Sequence, residues 1–143
     1  MTYVDGYVIP VLAENKDKYI EQAKIAASVF KEHGVIEIYE NWGDDVPEGE
    51  VTSFYKAVQC KEGEVVVFSW AVWPSKEARN EGWKALMDDS RMQPDPNNPM
   101  PFDGKRLIYG GFYCSRVSRG HPIASDYRQK VELNMNMIKK GSC

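Results

Sequence analysis

The stretch "VVVFSWAVW", residues 65–73, decides the fold of this chain. Along an extended backbone successive side chains point to opposite sides, so Val67 and Ala71 share one side while Phe68 and Trp70 share the other. Both sides are apolar, a pattern that is typical of a central strand in a sheet covered on both faces. The stretch is far too short to cross a bilayer, so the sequence predicts no membrane association.

Strand and helix patterns flank this central strand. Segments rich in Tyr, Val and Ile predict strands at 3–10, 35–42 and 106–112. Helical periodicity and capping residues predict one helix that follows Asn15 and another that follows Ser75. The resulting order is βαββαβ. It predicts an α+β fold: a ferredoxin-like protomer in which an antiparallel sheet carries two helices on one face.

The second strand of this order is predicted to be long and broken. "GDDVPEGE" interrupts it with turn-forming residues, and "VTSFYKAVQC" (51–60) resumes a strand-like pattern. A hairpin through Gly63 then leads into the central strand. In the second helix Gly82 costs about 1 kcal/mol against alanine, which indicates close approach to the sheet or a local kink.

Two helices can cover only one face of the sheet, so the other face needs a partner. An apolar face left in water would form a patch larger than monomers usually tolerate. The simplest partner is a second copy of the chain, and the sequence therefore predicts a homodimer. On this prediction Val67→Asp or Ala71→Asp should split or aggregate the dimer, because either change would bury an unpaired charge.

Composition and charge argue against several functional classes. The chain has 143 residues and a formal net charge of −3, without the concentrated basic face that nucleic-acid binding requires. The N-terminus lacks the features of a signal peptide, and the three scattered cysteines suit a reducing cytoplasm. Those cysteines form no ligand pair, two histidines cannot make a three-histidine site, and Asp44-Asp45 is typical of a turn. We therefore predict no metal, no haem and no other cofactor.

Glu40 is the candidate catalytic residue. It shares a side of its predicted strand with Ile36, Ile38 and Trp42, where a carboxylate would lose part of its water. Such a group either finds hydrogen-bond donors or rises in pKa, and a raised pKa suits acid or base chemistry. The alternative is a structural role, in which Glu40 lies near the strand end and reaches solvent or pairs with a Lys or Arg.

Aromatic and polar residues supply the other candidate positions. Four tryptophans in one small domain could line a flat apolar pocket, although aromatic residues more often belong to the core. Trp42 and Trp70 are the candidate walls, and Arg106 and Tyr109 are the candidates for orienting a polar group of a ligand. Asp103-Gly104 precedes a strand instead of following one, so it predicts a turn and not a phosphate cradle.

Several blocks of the sequence together resemble a known family. "YVDGYVIPV", "FKEHG", "NWGDDVPEGEVTSF", "VVFSWAVWPSKEAR" and "MPFDGKRLIYGGF" are closely similar to the uncharacterised bacterial family called domain of unknown function 1428, a member of the dimeric α/β-barrel superfamily. The resemblance covers about residues 1–112. It implies a protomer whose sheet packs against the sheet of its twin to close a barrel.

The superfamily holds many activities, so the resemblance implies little about reaction. Its members include cofactor-free monooxygenases, haem-dependent enzymes, isomerases and plain binding or stress-response proteins, and choosing among them is fold-level analogy. Our hypothesis is a homodimer that binds a small organic molecule in an aromatic-lined pocket, with oxygenase- or isomerase-like chemistry as the analogy. The alternative is a non-catalytic dimeric binding or stress-response module. No nucleic-acid partner is expected.

The end of the chain departs from the family pattern. Residues 114–143 are longer than, and unlike, the short ending that the resemblance implies. We therefore expect a barrel domain at 1–113 followed by an atypical extension that is either docked or disordered. A chain that ends at Tyr113 is expected to fold without it.

Overall fold

A computed structural model describes residues 1–115 of the chain. The strands are β1 (Tyr3–Leu12), β2 (Glu37–Trp42), β3 (Glu64–Trp73) and β4 (Ile108–Tyr113). The helices are α1 (Lys16–Glu32), α2 (Phe54–Ala57) and α3 (Lys76–Asp88), and 3-10 turns lie at Ala13–Asn15 and Ser90–Met92. The predicted tail therefore lies almost wholly outside the described residues. No helix among residues 1–115 is long and apolar enough to span a membrane.

The four strands form one antiparallel sheet in the order β2-β3-β1-β4. This confirms the predicted α+β class and the ferredoxin-like βαββαβ order, with α2 as an addition. The strand "VVVFSWAVW" is central, as its apolar pattern predicted. Its register pairs Tyr3 with Trp73 and Leu12 with Glu64, so β1 and β3 lie side by side over ten residues each.

The register assigns each side chain to one of two faces. The helix face, which α1 and α3 cover, carries these residues: Tyr3, Asp5, Tyr7, Ile9, Ile38, Glu40, Trp42, Val67, Ser69, Ala71, Trp73, Tyr109 and Tyr113. The open face, which neither of those two helices covers, carries these: Val4, Gly6, Val8, Tyr39, Phe68, Trp70, Val72, Ile108, Gly110 and Phe112.

The structure corrects the choice of the sheet face that the sequence assigned to dimerisation. Val67 and Ala71 are 1% and 2% exposed, because they lie beneath the helices of their own chain. The exposed apolar residues of β3 point the other way, with Phe68 at 45%. Period-2 alternation separates the two sets but does not tell which set a helix will cover. A charge at Val67 or Ala71 would therefore disrupt the core of the protomer itself.

The second correction concerns residues 51–60, which contain α2 and no strand. Ser53 explains this helix, because its side chain accepts a hydrogen bond from the backbone N–H of Lys56 at 3.0 Å. Such a cap satisfies a backbone N–H group in the first turn of the helix, where it has no partner within the helix itself. The predicted hairpin is therefore absent from this part of the chain, and β2 ends at Trp42.

Two apolar clusters make up the core beneath the helices. The first, which we call the Trp73 cluster, gathers these buried residues: Tyr3, Val29, Phe30, Val35, Ala71, Trp73 and Leu86. The second, the Val11 cluster, gathers Ile9, Val11, Tyr19 and Val67. Cores of small domains are usually continuous. The break between these clusters is the starting point for the functional site.

Glycines allow the closest packing in the fold. A side-chain carbon at Gly82 of α3 would meet the Trp73 ring and would lie 2.7 Å from the carbonyl oxygen of His33, so close approach and not local flexibility explains this glycine. On β4, a side-chain carbon at Gly111 would lie 2.7 Å from the Tyr3 ring. Gly110 similarly lies beneath the ring of Phe112. The strand glycines thus admit aromatic rings.

Candidate functional site

A band of polar side chains separates the two apolar clusters. On the helix face of β3, Ser69 lies between Ala71 and Val67. On the same face of β2, Glu40 lies between Ile38 and Trp42. We call the following residues the polar band: Asp5, Tyr7 and Tyr109 from β1 and β4, Glu40 and Ser69 from β2 and β3, Tyr19 from α1 and Arg79 from α3. Because polar groups weaken a core unless they are satisfied, a band of this kind is a candidate site.

Glu40 is the carboxylate of the band that remains accessible to solvent. The Tyr19 hydroxyl donates a hydrogen bond to Glu40 Oε2 at 2.7 Å, and the Ser69 side chain is also hydrogen-bonded to it. Surrounding protein removes part of the water from the carboxyl group and raises its pKa, while the bonds from Tyr19 and Ser69 act in the opposite direction. The net direction is upward, because desolvation is the largest influence.

The phenols next to Glu40 stay protonated at ordinary pH. Burial, followed by the charge of Glu40 and its hydrogen bond, raises the pKa of Tyr19 far above its usual value. Burial, followed by the charge of Asp5, raises the pKa of Tyr7 in the same direction. Tyr19 and Tyr7 are therefore hydrogen-bond donors in this site. The ring of Tyr7 stacks on that of Tyr109 with centroids 6.5 Å apart.

Asp5 anchors the other end of the band. It is 3% exposed, and it accepts hydrogen bonds from Trp73 Nε1 at 3.0 Å and from Trp83 Nε1 at 2.9 Å. Arg79 adds contacts of 3.0 Å through Nε and 2.8 Å through a terminal nitrogen. The buried charge is thus paired and fully hydrogen-bonded, the condition under which a buried ion is tolerated. It also holds the Arg79 cation beside the ring of Tyr3 at 5.3 Å.

The sequence-predicted residues do not all come together. Glu40 and Tyr109 both lie in the polar band, but Trp42 and Trp70 lie on opposite faces of the sheet. Trp42 packs beside Tyr19, with ring centroids 6.2 Å apart, on the helix face. Trp70 packs beside aromatic neighbours on the open face. One protomer therefore does not place both tryptophans in one pocket.

Arg106 lies at an end of the sheet, away from the band. It forms two hydrogen bonds of 2.7 Å with Glu64 and one of 3.0 Å with Asp103, and it donates to the backbone oxygen of Gln59. Through these contacts the guanidinium group of Arg106 holds the loop before β4 in place. Asp103 also accepts from the backbone N–H of Lys105 at 3.0 Å, so Asp103-Gly104 is the predicted turn.

Two open depressions lie outside the polar band. The larger, of about 380 Å³, is lined by Leu12, Asn15, Lys18, Glu64, Pro99, Met100, Pro101, Phe102, Asp103 and Arg106. The smaller, of about 230 Å³, is lined by Asn41, Trp42, Gly43, Asp44, Asp45, Val46, Phe54, Val66 and Phe68. Glu40 lines neither of these two depressions, and its side chain is exposed at the surface of the protomer. Residues 1–115 contain no group of three His, Cys, Asp or Glu side chains placed to hold a metal.

Sequence reasoning missed most of the polar partners of Glu40. The sequence pattern presents Tyr19 only as one residue of the first helix and Asp5 only as one residue of the first strand. The available signal was the position of Asp5, which shares a side of "YVDGYVIPV" with Tyr3 and Tyr7 and so predicts an inward carboxylate. Ser69 carried the same signal in the central strand.

Comparison with known proteins finds sequence relatives over most of the chain. The family model "Protein of unknown function (DUF1428)" matches residues 2–104. "Uncharacterized protein YbaA" of Escherichia coli strain K12 is 53% identical over 112 residues, which are 78% of this chain and 95% of that protein. The protein of the same name from Shigella flexneri matches with the same identity and the same coverage.

A solved structure shares the fold at low sequence identity. It is the crystal structure of a putative antibiotic biosynthesis monooxygenase from Bacillus cereus, with a TM-score of 0.50 and 13% identity. The match covers 85% of this chain and 98% of that one. At this identity the likeness concerns the fold alone.

Proposed function

The chain belongs to the DUF1428 family of proteins of unknown function, and from that premise we propose that it is a homodimer that binds a small organic molecule at Glu40 and exchanges a proton with it. One observation carries this proposal. Glu40 is an accessible carboxylate in a polar band between two apolar clusters, and its surroundings raise its pKa. A carboxyl group of this kind suits general acid–base work better than an ordinary surface glutamate does.

The hydrogen bonds of Glu40 fix which ligand groups can bind it. Tyr19 holds one carboxylate oxygen at 2.7 Å and so sets the orientation of the side chain. An ionised carboxylate only accepts hydrogen bonds, so a ligand must present a donor or an acidic hydrogen to it. None of the ion pairs among residues 1–115 involves Glu40, so its charge is not neutralised by a Lys or Arg there. Neutral or cationic ligands are favoured over anions.

The open face supports the dimer. It exposes Tyr39, Phe68, Ile108 and Phe112, at 44%, 45%, 44% and 61%, beside the partly buried Trp70. Exposed apolar side chains gathered on one face of a sheet indicate a protein partner, and the self-complementary choice is a second copy. Two open faces in contact would close the barrel that the family resemblance implies.

The reaction class within the superfamily comes by analogy. The Bacillus cereus neighbour is named for monooxygenase activity, and isomerases share the same superfamily. Proton transfer to or from an organic substrate is a step that a carboxylate beside a phenol supports without further groups. We therefore give proton transfer priority over oxygen chemistry for this chain.

A non-catalytic dimeric module is the second candidate. Glu40 lines neither depression, and the four tryptophans all make packing contacts: Trp42 with Tyr19, Trp70 with Tyr39, and Trp73 and Trp83 with Phe30. On this alternative the polar band serves only to hold α1 and α3 on the sheet.

Ligand-observed NMR separates the two candidates. The full chain is screened by saturation transfer against small hydroxyl- and carbonyl-bearing aromatic compounds. Glu40→Gln removes the negative charge at nearly constant shape, and we expect it to abolish most signals. Glu37→Gln is the matched control, because Glu37 lies on the same strand but on the opposite side. Equal signals from the two variants, or none from the wild type, would favour the non-catalytic module.

A further inference from the structure

Tyr7 belongs to the polar band, but its hydroxyl group has no hydrogen-bond partner among residues 1–115. In the described part of the chain no hydrogen bond engages its hydroxyl, and no fully buried side-chain oxygen lacks a partner. Tyr7 is partly exposed, and its hydroxyl is not committed to any partner among residues 1–115. This contrasts with Tyr19, whose hydroxyl is committed to Glu40. An accessible phenol that stays protonated is available to donate a hydrogen bond to a ligand.

The sheet places this donor in line with Glu40. Tyr7 on β1 and Glu40 on β2 are both opposite Ser69 on β3, so the three residues form one row on the helix face. Neighbouring strands are about 4.8 Å apart, which puts the backbones of Tyr7 and Glu40 roughly 10 Å apart. Both side chains rise from the same face, and the charge of Glu40 helps to raise the pKa of the Tyr7 phenol. Their tips can thus contact the two ends of one small molecule.

The two ends of this row have complementary chemistry. Glu40 accepts a proton, and Tyr7 donates a hydrogen bond without giving up its own proton. This is the pair of groups needed to remove a hydrogen from carbon next to a carbonyl, since the base takes the hydrogen and the donor stabilises the oxygen that gains negative charge. Deepening the proposed function on which it rests, we infer that the ligand is a small, uncharged, enolisable carbonyl compound whose enolisation Glu40 and Tyr7 catalyse.

The step balances without a cofactor. The Glu40 carboxylate forms a bond to the hydrogen of the α-carbon, and the electron pair of the broken C–H bond becomes the carbon–carbon double bond of the enolate. The carbonyl π electrons move to oxygen, which accepts the hydrogen bond from Tyr7. The protonated Glu40 then returns its hydrogen to either end of the enolate. Return of the hydrogen to carbon regenerates the ketone, and its return to oxygen gives the enol.

The surroundings of Tyr7 fit this role. The negative charge of Asp5 raises the pKa of the Tyr7 phenol and the Arg79 guanidinium, held by Asp5, only partly offsets it, so the phenol keeps the proton that it donates in a hydrogen bond. Tyr109, which is 75% exposed, stacks on Tyr7 and offers a flat surface to a planar ligand. The exposed ring of Tyr109 favours a conjugated or aromatic ketone over an aliphatic one.

Hydrogen–deuterium exchange tests the inference directly. The full chain is incubated in D₂O with 2-tetralone, an aromatic-fused ketone with acidic protons next to its carbonyl, and proton NMR follows the loss of those protons. We expect the wild type to exceed buffer by at least about a hundred-fold, the lower range for general base catalysis. Glu40→Gln should return the rate to that of buffer. Tyr7→Phe should lower it about ten- to a hundred-fold and leave the melting temperature unchanged.

The control is Tyr113→Phe, which also removes a phenol from the helix face but lies opposite Tyr3, outside the polar band. It should exchange 2-tetralone at the wild-type rate. A wild-type protein that fails to accelerate exchange, or a Tyr7→Phe variant as fast as the wild type, overturns the inference. If the Glu40-dependent NMR signals of the screen persist in that case, binding at Glu40 stands and only the enolisation fails.

Discussion

Glu40 is subject to opposing influences that make its charge depend on folding. Desolvation raises its pKa above the ordinary value of 4.5, and the hydrogen bonds from Tyr19 and Ser69 only partly offset this. Its position between inward residues of a strand was predictable from alternation alone. Its partners were not, because Tyr19 and Ser69 come from 21 residues before and 29 residues after it, and only the register of the sheet brings them together.

The free energy of unfolding should therefore depend on pH through the ionisation of Glu40. With the pKa raised in the folded state, the folded chain holds a proton that the unfolded chain releases. The associated stabilisation is complete below pH 4.5 and is lost as pH rises through the folded-state pKa. Urea unfolding of the wild type and of Glu40→Gln between pH 4 and 8 should show the wild type losing stability relative to the variant as pH rises. A constant difference, or a difference of opposite slope, would contradict the desolvated environment described for this carboxyl group.

At the scale of elements, helix α3 lies unusually close to the sheet. Gly82 is buried, and the space that a side chain would need is filled by the Trp73 ring and the carbonyl oxygen of His33. The sequence indicated this approach through a glycine in the middle of a helix. The same reasoning failed for α2, because the strand-like alternation of residues 51–60 was weaker evidence than the cap that Ser53 supplies. A four-residue helix depends on such a local contact more than on periodicity.

Gly82→Ala tests the close approach of α3. Alanine favours helix by about 1 kcal/mol over glycine, but the new methyl group would overlap Trp73 and push the helix outward. We expect a net loss of roughly 1–3 kcal/mol in the free energy of unfolding, measured in urea. Gly104→Ala is the matched control, since a methyl group there meets nothing within 4 Å. A stabilised Gly82→Ala variant would show that α3 can move away at no cost.

For the whole molecule, the open face determines the proposed assembly. Sequence alternation predicted an uncovered apolar face, and the structure corrects which residues form it: Phe68 and Trp70, not Val67 and Ala71. The assignment requires knowledge of which side the helices cover, and that follows from long-range packing. The same limit applies to the candidate site, where Trp42 and Trp70 could be identified individually but not as residues of opposite faces.

Phe68→Asp should dissociate the proposed dimer. A sheet-to-sheet contact of standard size buries about 1,600 Å², and a charge at its centre would be left without a partner. Light scattering on the wild type at micromolar concentration should give twice the chain mass, and the variant should give a monomer or aggregates. Ile25→Asp is the control, because Ile25 is 59% exposed on α1, away from the open face, and its variant should remain dimeric. A wild type that is monodisperse as a monomer would refute the assembly.

The long central ladder has a consequence for how the chain reaches its structure. β1 is made first, yet its main partner β3 follows after more than fifty residues, and Tyr3 pairs with a residue 70 positions away. Such distant contacts slow folding, because loop entropy is lost before any pairing is gained. At a synthesis rate of about 5–20 residues per second, at least roughly 3–10 s pass between the synthesis of β1 and the synthesis of β3. During that interval the strand-forming segment "YVDGYVIPVL" lacks its main partner strand, so newly made chains should depend on chaperones more than the small size of the domain suggests.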